Sequence, residues 1–468
     1  MIRLLLLLLC PCLLALPSTA AEKPMNVVLI VADDLGWADL ACYGSDLHET
    51  PNLDRLAAQS IRFTDAYAAA AICSPTRASL LTGKSPTRLG MTIWHEWAAR
   101  GPDRRGDYVA AEAEPNLKRS EETLAEVLKP RGYATFHVGK WHVGDVRHYP
   151  ETQGFDVNIG GTLWGAPPTF FWPYRGPFGP DLRYVPGLEG GQPGEYLTDR
   201  LTSEAMRLIE GSRARPFFLN LWFYSVHTPI EGKRKHVDYF TPRAEAAKQH
   251  THPTYAAMVH SLDENVGRIL AKLDELKMKS HTLVIFMSDN GGLVHKTPWG
   301  IATNNAPMRS GKGALYEGGI RIPFIVHWPG VTKPGVCSEP VISHDLFATI
   351  LEILGVPQPP NPQERDGASL VSLLRNPQAR LDRPYLCWHY PHFYPTTNPV
   401  SAIRSGNHKL LHFYQENRDE LYDLSTDVSE KTNLAKSDPA KTAALRKTLD
   451  DWLHSMNARF PRRVTEKR

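Results

Sequence analysis

Four stretches of the chain run apolar without alternation: Asn26–Ala32, Phe217–Tyr224, Thr282–Met287 and Ile322–Trp328. Unbroken apolar runs of this length predict strands buried on both faces. The first stops at Asp33-Asp34 and the third at Ser288-Asp289-Asn290-Gly291-Gly292. Between the runs lie helical patterns over Glu121–Leu128, about Tyr255–Lys277 and His344–Leu354, the last closed by Gly355 and Pro357. Strands alternating with helices predict an α/β fold, a large, mostly parallel sheet flanked by helices on both faces. A further helix is expected at Cys73, with Pro75 in its first turn and Gly83 at its end.

Beyond Pro377 the texture changes. Tyr385–Tyr390, Ala402–Ser405, Lys409–Phe413 and Glu420–Tyr422 read as short strands joined by polar turns, and Pro439–Met456 as a helix. A smaller C-terminal antiparallel-sheet subdomain carrying one helix follows, over residues 377–468, after a main domain over 21–376. The segment Gly160–Gly194 is rich in Gly, Pro and aromatics and is expected to be ordered by the surface it covers.

The N-terminus adds a location. Arg3 precedes an apolar stretch from Leu4 to Leu16, and Ser18-Thr19-Ala20 supplies small residues for cleavage, so residues 1–20 read as a signal peptide. The stretch falls short of the roughly 18 residues a membrane span needs, and no later segment qualifies. The expected product is exported, periplasmic or secreted. Six cysteines leave Cys42, Cys337 and Cys387 once Cys10, Cys12 and Cys73 are set aside, which allows one bridge at most. No Asn-x-Ser/Thr sequon occurs, which favours a bacterial exported protein over a lysosomal one. A net charge of +3 on 468 residues gives no global field for nucleic acid. The basic tail Arg459–Arg468 reads as a frayed, solvated end.

Chemistry concentrates at the strand ends, where open α/β sheets bind ligands. Asp33, Asp34, Asp289 and Asn290 together offer three carboxylates and an amide oxygen, hard donors suited to Ca²⁺ or Mg²⁺. Taken singly, each pair also fits a helix cap or a turn. Cys73 opens the run Cys73-Ser74-Pro75-Thr76-Arg77-Ala78-Ser79-Leu80-Leu81-Thr82-Gly83. Free N–H groups at such a helix start favour an anion, and Arg77 adds a permanent cation one turn on.

The element Cys-x-Pro-x-Arg leading into Leu-Thr-Gly resembles the signature of the type I, formylglycine-dependent sulfatases of the alkaline phosphatase superfamily. A second likeness lies at Gly132–His142, a third at Glu420–Leu424 with Asn433-Leu434. The resemblance implies that Cys73 is oxidised to formylglycine by a formylglycine-generating enzyme. The aldehyde hydrate attacks sulfur with one oxygen and sheds sulfate by collapse through the other, which a thiol cannot do. It further implies that Cys73 joins Asp33, Asp34, Asp289 and Asn290 around one calcium ion. Lys140 and His227 would contact sulfate, His142 the formylglycine, and Lys312 the leaving oxygen, with Arg77 helping to neutralise the sulfate. His137 matches no motif position and reads as a strand histidine.

The expected activity is hydrolysis of sulfate esters, on a sulfated carbohydrate. Trp94, His95, Trp97 and Trp299 are candidates for a sugar subsite, with burial in the core as the plainer account of each. Two rivals share the pattern: a phosphonate or phosphate monoester hydrolase of the same superfamily, and a non-catalytic secreted carbohydrate-binding protein.

Overall fold

The computed structural model describes residues 24–358 and 365–464; the signal peptide expected over 1–20 lies outside them. The central sheet has eight strands in the order Gly335–Cys337, Ile61–Phe63, Phe324–His327, Thr282–Ser288, Asn26–Ala32, Phe217–Trp222, Ala134–Gly139 and Val157–Ile159. The last five run parallel to one another. Only Phe324–His327 runs against its neighbours. The chain between Ser288 and Phe324 returns through loops and one short helix, Glu317–Ile320, and so lacks the crossover helix a parallel neighbour needs.

Alternate residues of each central strand enter two separate apolar layers. Val28, Ile30, Phe136, Val138, Leu219, Leu221 and Phe286 face one layer. Val27, Leu29, Val31, Phe218, Leu283, Ile285 and Met287 face the other. The first is closed by helix Pro253–Glu275, whose Tyr255, Met258, Val259, Leu262, Val266, Ile269 and Leu273 fall at helical spacing. The second is closed by helices Cys73–Thr82, Leu124–Leu128 and Asp345–Ile353. The middle one starts three residues later than the apolar pattern suggests. Thr123 and Glu126 form a capping box there, each side chain accepting the other's backbone N–H at 3.2 and 2.8 Å.

A four-stranded antiparallel sheet follows, Leu386–Tyr390, Val400–Ser405, His408–Phe413 and Arg418–Asp423 in sequential order. Helix Pro439–Ser455 covers one face through Leu445, Leu449 and Leu453 against Ile403, Leu410 and Leu421. The other face, with Trp388, Ala402, Leu411 and Tyr422, packs on Ala69–Cys73 and Ala314–Tyr316. The C-terminal sheet is therefore a wall behind the segment that carries Cys73. The end of the chain is not frayed up to residue 464: Arg462–Arg463 pairs antiparallel with Tyr108–Val109, and Arg459 reaches Glu114 at 2.6 Å. Among the described residues Cys42, Cys73, Cys337 and Cys387 are free thiols. The Gly160–Gly194 segment contains a hairpin, Arg175–Phe178 with Asp181–Tyr184.

Candidate active site

Register along the sheet sets the site. Ala32 pairs with Ser288, Val31 with Trp222, and Trp222 with Gly139. The ladder continues one rung further, Asp289 N to Ala32 O at 3.1 Å, Asp33 N to Ser225 O at 2.9 Å and Lys140 N to Trp222 O at 2.7 Å. Asp289 and Asp33 thus leave neighbouring strands at one level, and Lys140 leaves at the same level from two strands further along, across Phe217–Trp222. Glycine is required at position 139, where φ is +104° and a Cβ would stand 2.0 Å from the Trp222 carbonyl oxygen.

Cys73 is the first residue of a helix buried on all sides, entered from an extended Ile72 and ended by Gly83 at φ 70°. Thr76 Oγ1 clamps the incoming loop, accepting Ala70 N–H and donating to Ala70 O, both at 3.1 Å. Sγ of Cys73 lies with carboxylate oxygens of Asp33 and Asp289, all within 4.8 Å of one another. Three carboxyl side chains meet three basic side chains around this point. Arg77 donates to Asp289 Oδ2 from Nε at 2.9 Å and Nη2 at 2.7 Å; Lys140 Nζ lies 2.7 Å from Asp33 Oδ2; Lys312 Nζ lies 2.8 Å from Asp34 Oδ2. Burial, then Asp289 and Asp34, push the Asp33 carboxyl well up despite Lys140 and Arg77. For Asp34 burial is outweighed by Lys312, His227 and Lys140, which hold it below the usual carboxylate range.

This cluster fits a hard cation. Asp33 Oδ1 and Asn290 Oδ1 are buried acceptors with no hydrogen-bond partner, a costly state unless a cation or water takes them. Asn290 Nδ2 donates to Asp34 Oδ1 at 2.8 Å, which fixes the orientation of its amide oxygen. The surrounding donors are oxygens of Asp33, Asp34, Asp289 and Asn290, the set calcium prefers over zinc.

The sequence-derived residues divide by position. Cys73, His142, His227 and Lys312 line a cavity of about 200 Å³. Arg77 and Lys140 are fully buried beside it and bear on the carboxylates. His227 Nδ1 sits 2.9 Å from Thr228 O, and its Nε2 faces Asp34 Oδ2 at 3.6 Å. His137 is packed among Trp141, Phe155 and Trp222, away from the cavity. Of the aromatic candidates only Trp94 lines the cavity. Trp97 packs against it at a tilt of 42° with ring centres 5.2 Å apart, Trp299 is exposed and stacked on Phe178 at 6.5 Å, and His95 is tied to Pro115 O at 2.7 Å. A larger cleft of about 480 Å³ lies elsewhere, but its Arg321, Arg383 and Arg404 are each held by carboxylates.

Two residues that sequence reasoning passed over complete the site. Ser74, an unspecified position of the Cys73 motif, donates to His142 O at 2.5 Å and accepts from His95 N at 3.1 Å. It joins the Cys73 helix to the His142 turn and to the Trp94 segment. Glu96, a lone acid between Trp94 and Trp97, places Oε2 2.5 Å from His142 Nε2. Its Oε1 accepts from Gly165 N at 3.0 Å. His142 has φ 61°, a left-handed conformation that costs a bulky residue about 1–2 kcal/mol. Its ring lies so close to Gly165 that a Cβ there would be 2.2 Å from Cε1.

Acidic strand ends, a cysteine at a helix start and converging His and Lys side chains make a site suited to an oxyanion. The sulfatase family profile matches residues 25–356. A second profile, described as N-sulphoglucosamine sulphohydrolase, C-terminal, matches residues 310–459. Mouse (Mus musculus) steryl-sulfatase is 35% identical over 84% of this chain and 70% of its own. A sulfatase of Formosa agariphila is 33% identical over 94% and 90%, and Mus musculus N-acetylgalactosamine-6-sulfatase 33% over 90% and 78%. The solved structure of Ps i-CgsB in complex with k-i-k-neocarrahexaose superposes with TM-score 0.76 at 30% identity, covering 92% of this chain and 93% of the other. The protein is a sulfuric ester hydrolase. The chain belongs to the sulfatase family, within the alkaline phosphatase superfamily.

Proposed function

We propose that the protein hydrolyses a sulfate ester on a single sugar residue, with residue 73 as formylglycine and one calcium ion in the Asp33, Asp34, Asp289, Asn290 cluster. The observation that carries this reading is the position of Cys73 at a buried helix start, between two carboxylates and open to the cavity shared by His142, His227 and Lys312. Formylglycine would supply a hydrate nucleophile, and calcium held by Asp33, Asp34, Asp289 and Asn290 would supply Lewis-acid charge.

The chain's own residues do the rest. Helix N–H groups at Cys73 and the Lys312 ammonium favour an anion in the cavity. His142 has its Nε2 committed to Glu96, while the buried Nδ1 has no hydrogen-bond partner. A carboxylate that fixes the tautomer at one nitrogen leaves the other as a lone pair able to take a proton. Arg77 and Lys140 act through the carboxylates, preventing three adjacent buried acids from repelling one another. Lys312 and His227 flank the departing oxygen.

A sugar is favoured as substrate by the names of two relatives, one acting on N-acetylgalactosamine and one holding a neocarrahexaose. The cavity of about 200 Å³ lies below the roughly 300–1,000 Å³ of sites for drug-sized ligands, which points to a sulfate and little more than one ring. Steryl-sulfatase among the relatives gives an apolar alcohol as the second reading. We further infer export, with residues 1–20 removed, and a division near residue 376 between the catalytic domain and its C-terminal wall. Among the described residues no helix is long and apolar enough to cross a membrane.

The test is the mass of the peptide containing residue 73 together with activity in hosts with and without formylglycine-generating machinery. Turnover of sulfated sugars is expected to track the aldehyde fraction. Repeated turnover by protein whose residue 73 is wholly thiol would refute the mechanism. Faster hydrolysis of phosphate than of sulfate esters would favour the phosphatase reading.

A further inference from the structure

Arg183 stands on the wall of the catalytic cavity, on the second strand of the hairpin Arg175–Phe178 and Asp181–Tyr184. Its guanidinium carbon lies 4.3 Å from the Phe178 ring centre and 4.9 Å from that of Trp164. Aromatic faces therefore fix the plane of the group. Its polar contacts are all long. Nη1 reaches Ala166 O at 3.4 Å, and Nη2 reaches Asp181 Oδ2 at 3.4 Å and Glu96 Oε1 at 3.6 Å. Nε is buried with no partner.

Arg77 shows what a saturated arginine looks like in the same molecule, with three contacts between 2.7 and 3.1 Å. Arg183 differs in having Nε without a partner and Nη2 held only by long contacts to Asp181 and Glu96, along the edge that matches a carboxylate or sulfate bidentately. The two neighbouring acids do not fill that role. Glu96 is committed to His142 and to Gly165 N–H, and Asp181 makes only the long contact. A buried donor without a partner is a cost that a bound oxyanion removes.

We propose that Arg183 receives a second anionic group on the substrate, a carboxylate or another sulfate on the sugar whose ester sulfate sits at Cys73. This rests on the sulfatase reading above. It makes the preferred substrate doubly charged, and it makes Arg183 the residue that sets that preference.

The experiment compares kcat/KM on three purified sugars: one monosulfated and otherwise neutral, its disulfated counterpart, and a monosulfated uronic acid. The native enzyme is expected to prefer at least one doubly charged sugar by roughly 10–100-fold, the strength of one charged hydrogen-bond pair. In Arg183→Gln that ratio falls to about one, through KM; Arg183→Lys recovers part of it. Which of the two charged sugars carries the preference identifies the group. A purely structural Arg183 would lower all three rates together and leave the ratio intact, overturning the proposal, as would a native enzyme with no preference. Should Arg183→Gln fail to fold, the native ratio and Arg183→Lys still decide. Calorimetry with Cys73→Ala reads the same preference in binding, so absence of hydrolysis by the native enzyme counts against the sulfatase reading and absence of preference in binding against Arg183.

Discussion

Glu96 Oε2 lies 2.5 Å from His142 Nε2, and both side chains line the cavity that contains Cys73. The pair joins a short helix, His95–Ala98, to the turn beyond strand Ala134–Gly139. Burial is the largest influence on His142 and lowers its pKa; Glu96 is the main influence opposing it.

Glu96→Gln removes that opposing charge. The His142 pKa falls further, so the acidic limb of the kcat/KM profile, where the base must be neutral, moves to lower pH. The plateau is expected to fall by roughly 10²-fold as the tautomer loses its anchor. A pH–rate profile on an aryl sulfate checks both. A lower plateau with an unmoved limb would mean that Glu96 only supports the fold.

Asp289→Ala is expected to fail in two separable ways. It strands the Arg77 guanidinium, which is fully buried and has Asp289 Oδ2 as its short carboxylate contact, at a cost of about 3–5 kcal/mol. It also removes a proposed calcium ligand. Denaturant midpoints taken in chelator isolate the first effect, and calcium content by elemental analysis reports the second. Equal stability of native protein and variant in chelator would show that the Arg77 pair contributes nothing.

Much of the frame was legible because burial on both faces leaves a plain mark. Asn26–Ala32 is apolar at every position after Asn26, and its odd and even residues enter different layers. Phe324–His327 has the same texture, yet runs antiparallel, since direction depends on the connection and not on the strand. The acidic pairs were readable because they follow strands directly. Glu96, Ser74 and Arg183 were not. Glu96 reaches the cavity from a four-residue helix and Arg183 from a hairpin, while Ser74 braces the His142 turn from an unspecified position of the motif, and only tertiary packing brings them there. Trp299, chosen for its type, points outward for the same reason.

Acid is expected to unfold the protein steeply. Burial lowers His48 to about 4, His137 to about 3, His389 to about 4 and His392 to about 3. Against an unfolded value near 6.5, the unfolded chain binds more protons below that pH, so stability falls as pH drops from about 6.5 toward 3–4. Glu430, raised to about 7 by burial, works in the opposite sense and offsets one of the four. Each net proton taken up on unfolding corresponds to about 1.4 kcal/mol per pH unit. Thermal midpoints from pH 7 to 4 check this; a flat profile would show that these histidines are protonated in the fold.

The last prediction separates a group acting at the leaving oxygen from one that only holds the site together. Lys312 Nζ lies 2.8 Å from Asp34 Oδ2, and its backbone is fixed by Gly292 O at 3.0 Å and by Thr396 Oγ1 on its own carbonyl at 2.6 Å. The ammonium is thereby held at the cavity wall. As the ester bond breaks, charge builds on the departing oxygen, most for alcohols of high pKa such as sugar hydroxyls and least for activated phenols. Lys312→Ala is expected to lower kcat on a sulfated sugar by roughly 10²-fold or more and on a nitrophenyl sulfate far less. The slope of rate against leaving-group pKa becomes steeper. Calcium content is measured alongside, because Asp34 loses its partner in the same variant. Equal losses on activated and natural esters, with calcium retained, would place Lys312 at the sulfuryl oxygens and away from the leaving group. Equal losses with calcium gone would make its role the positioning of Asp34.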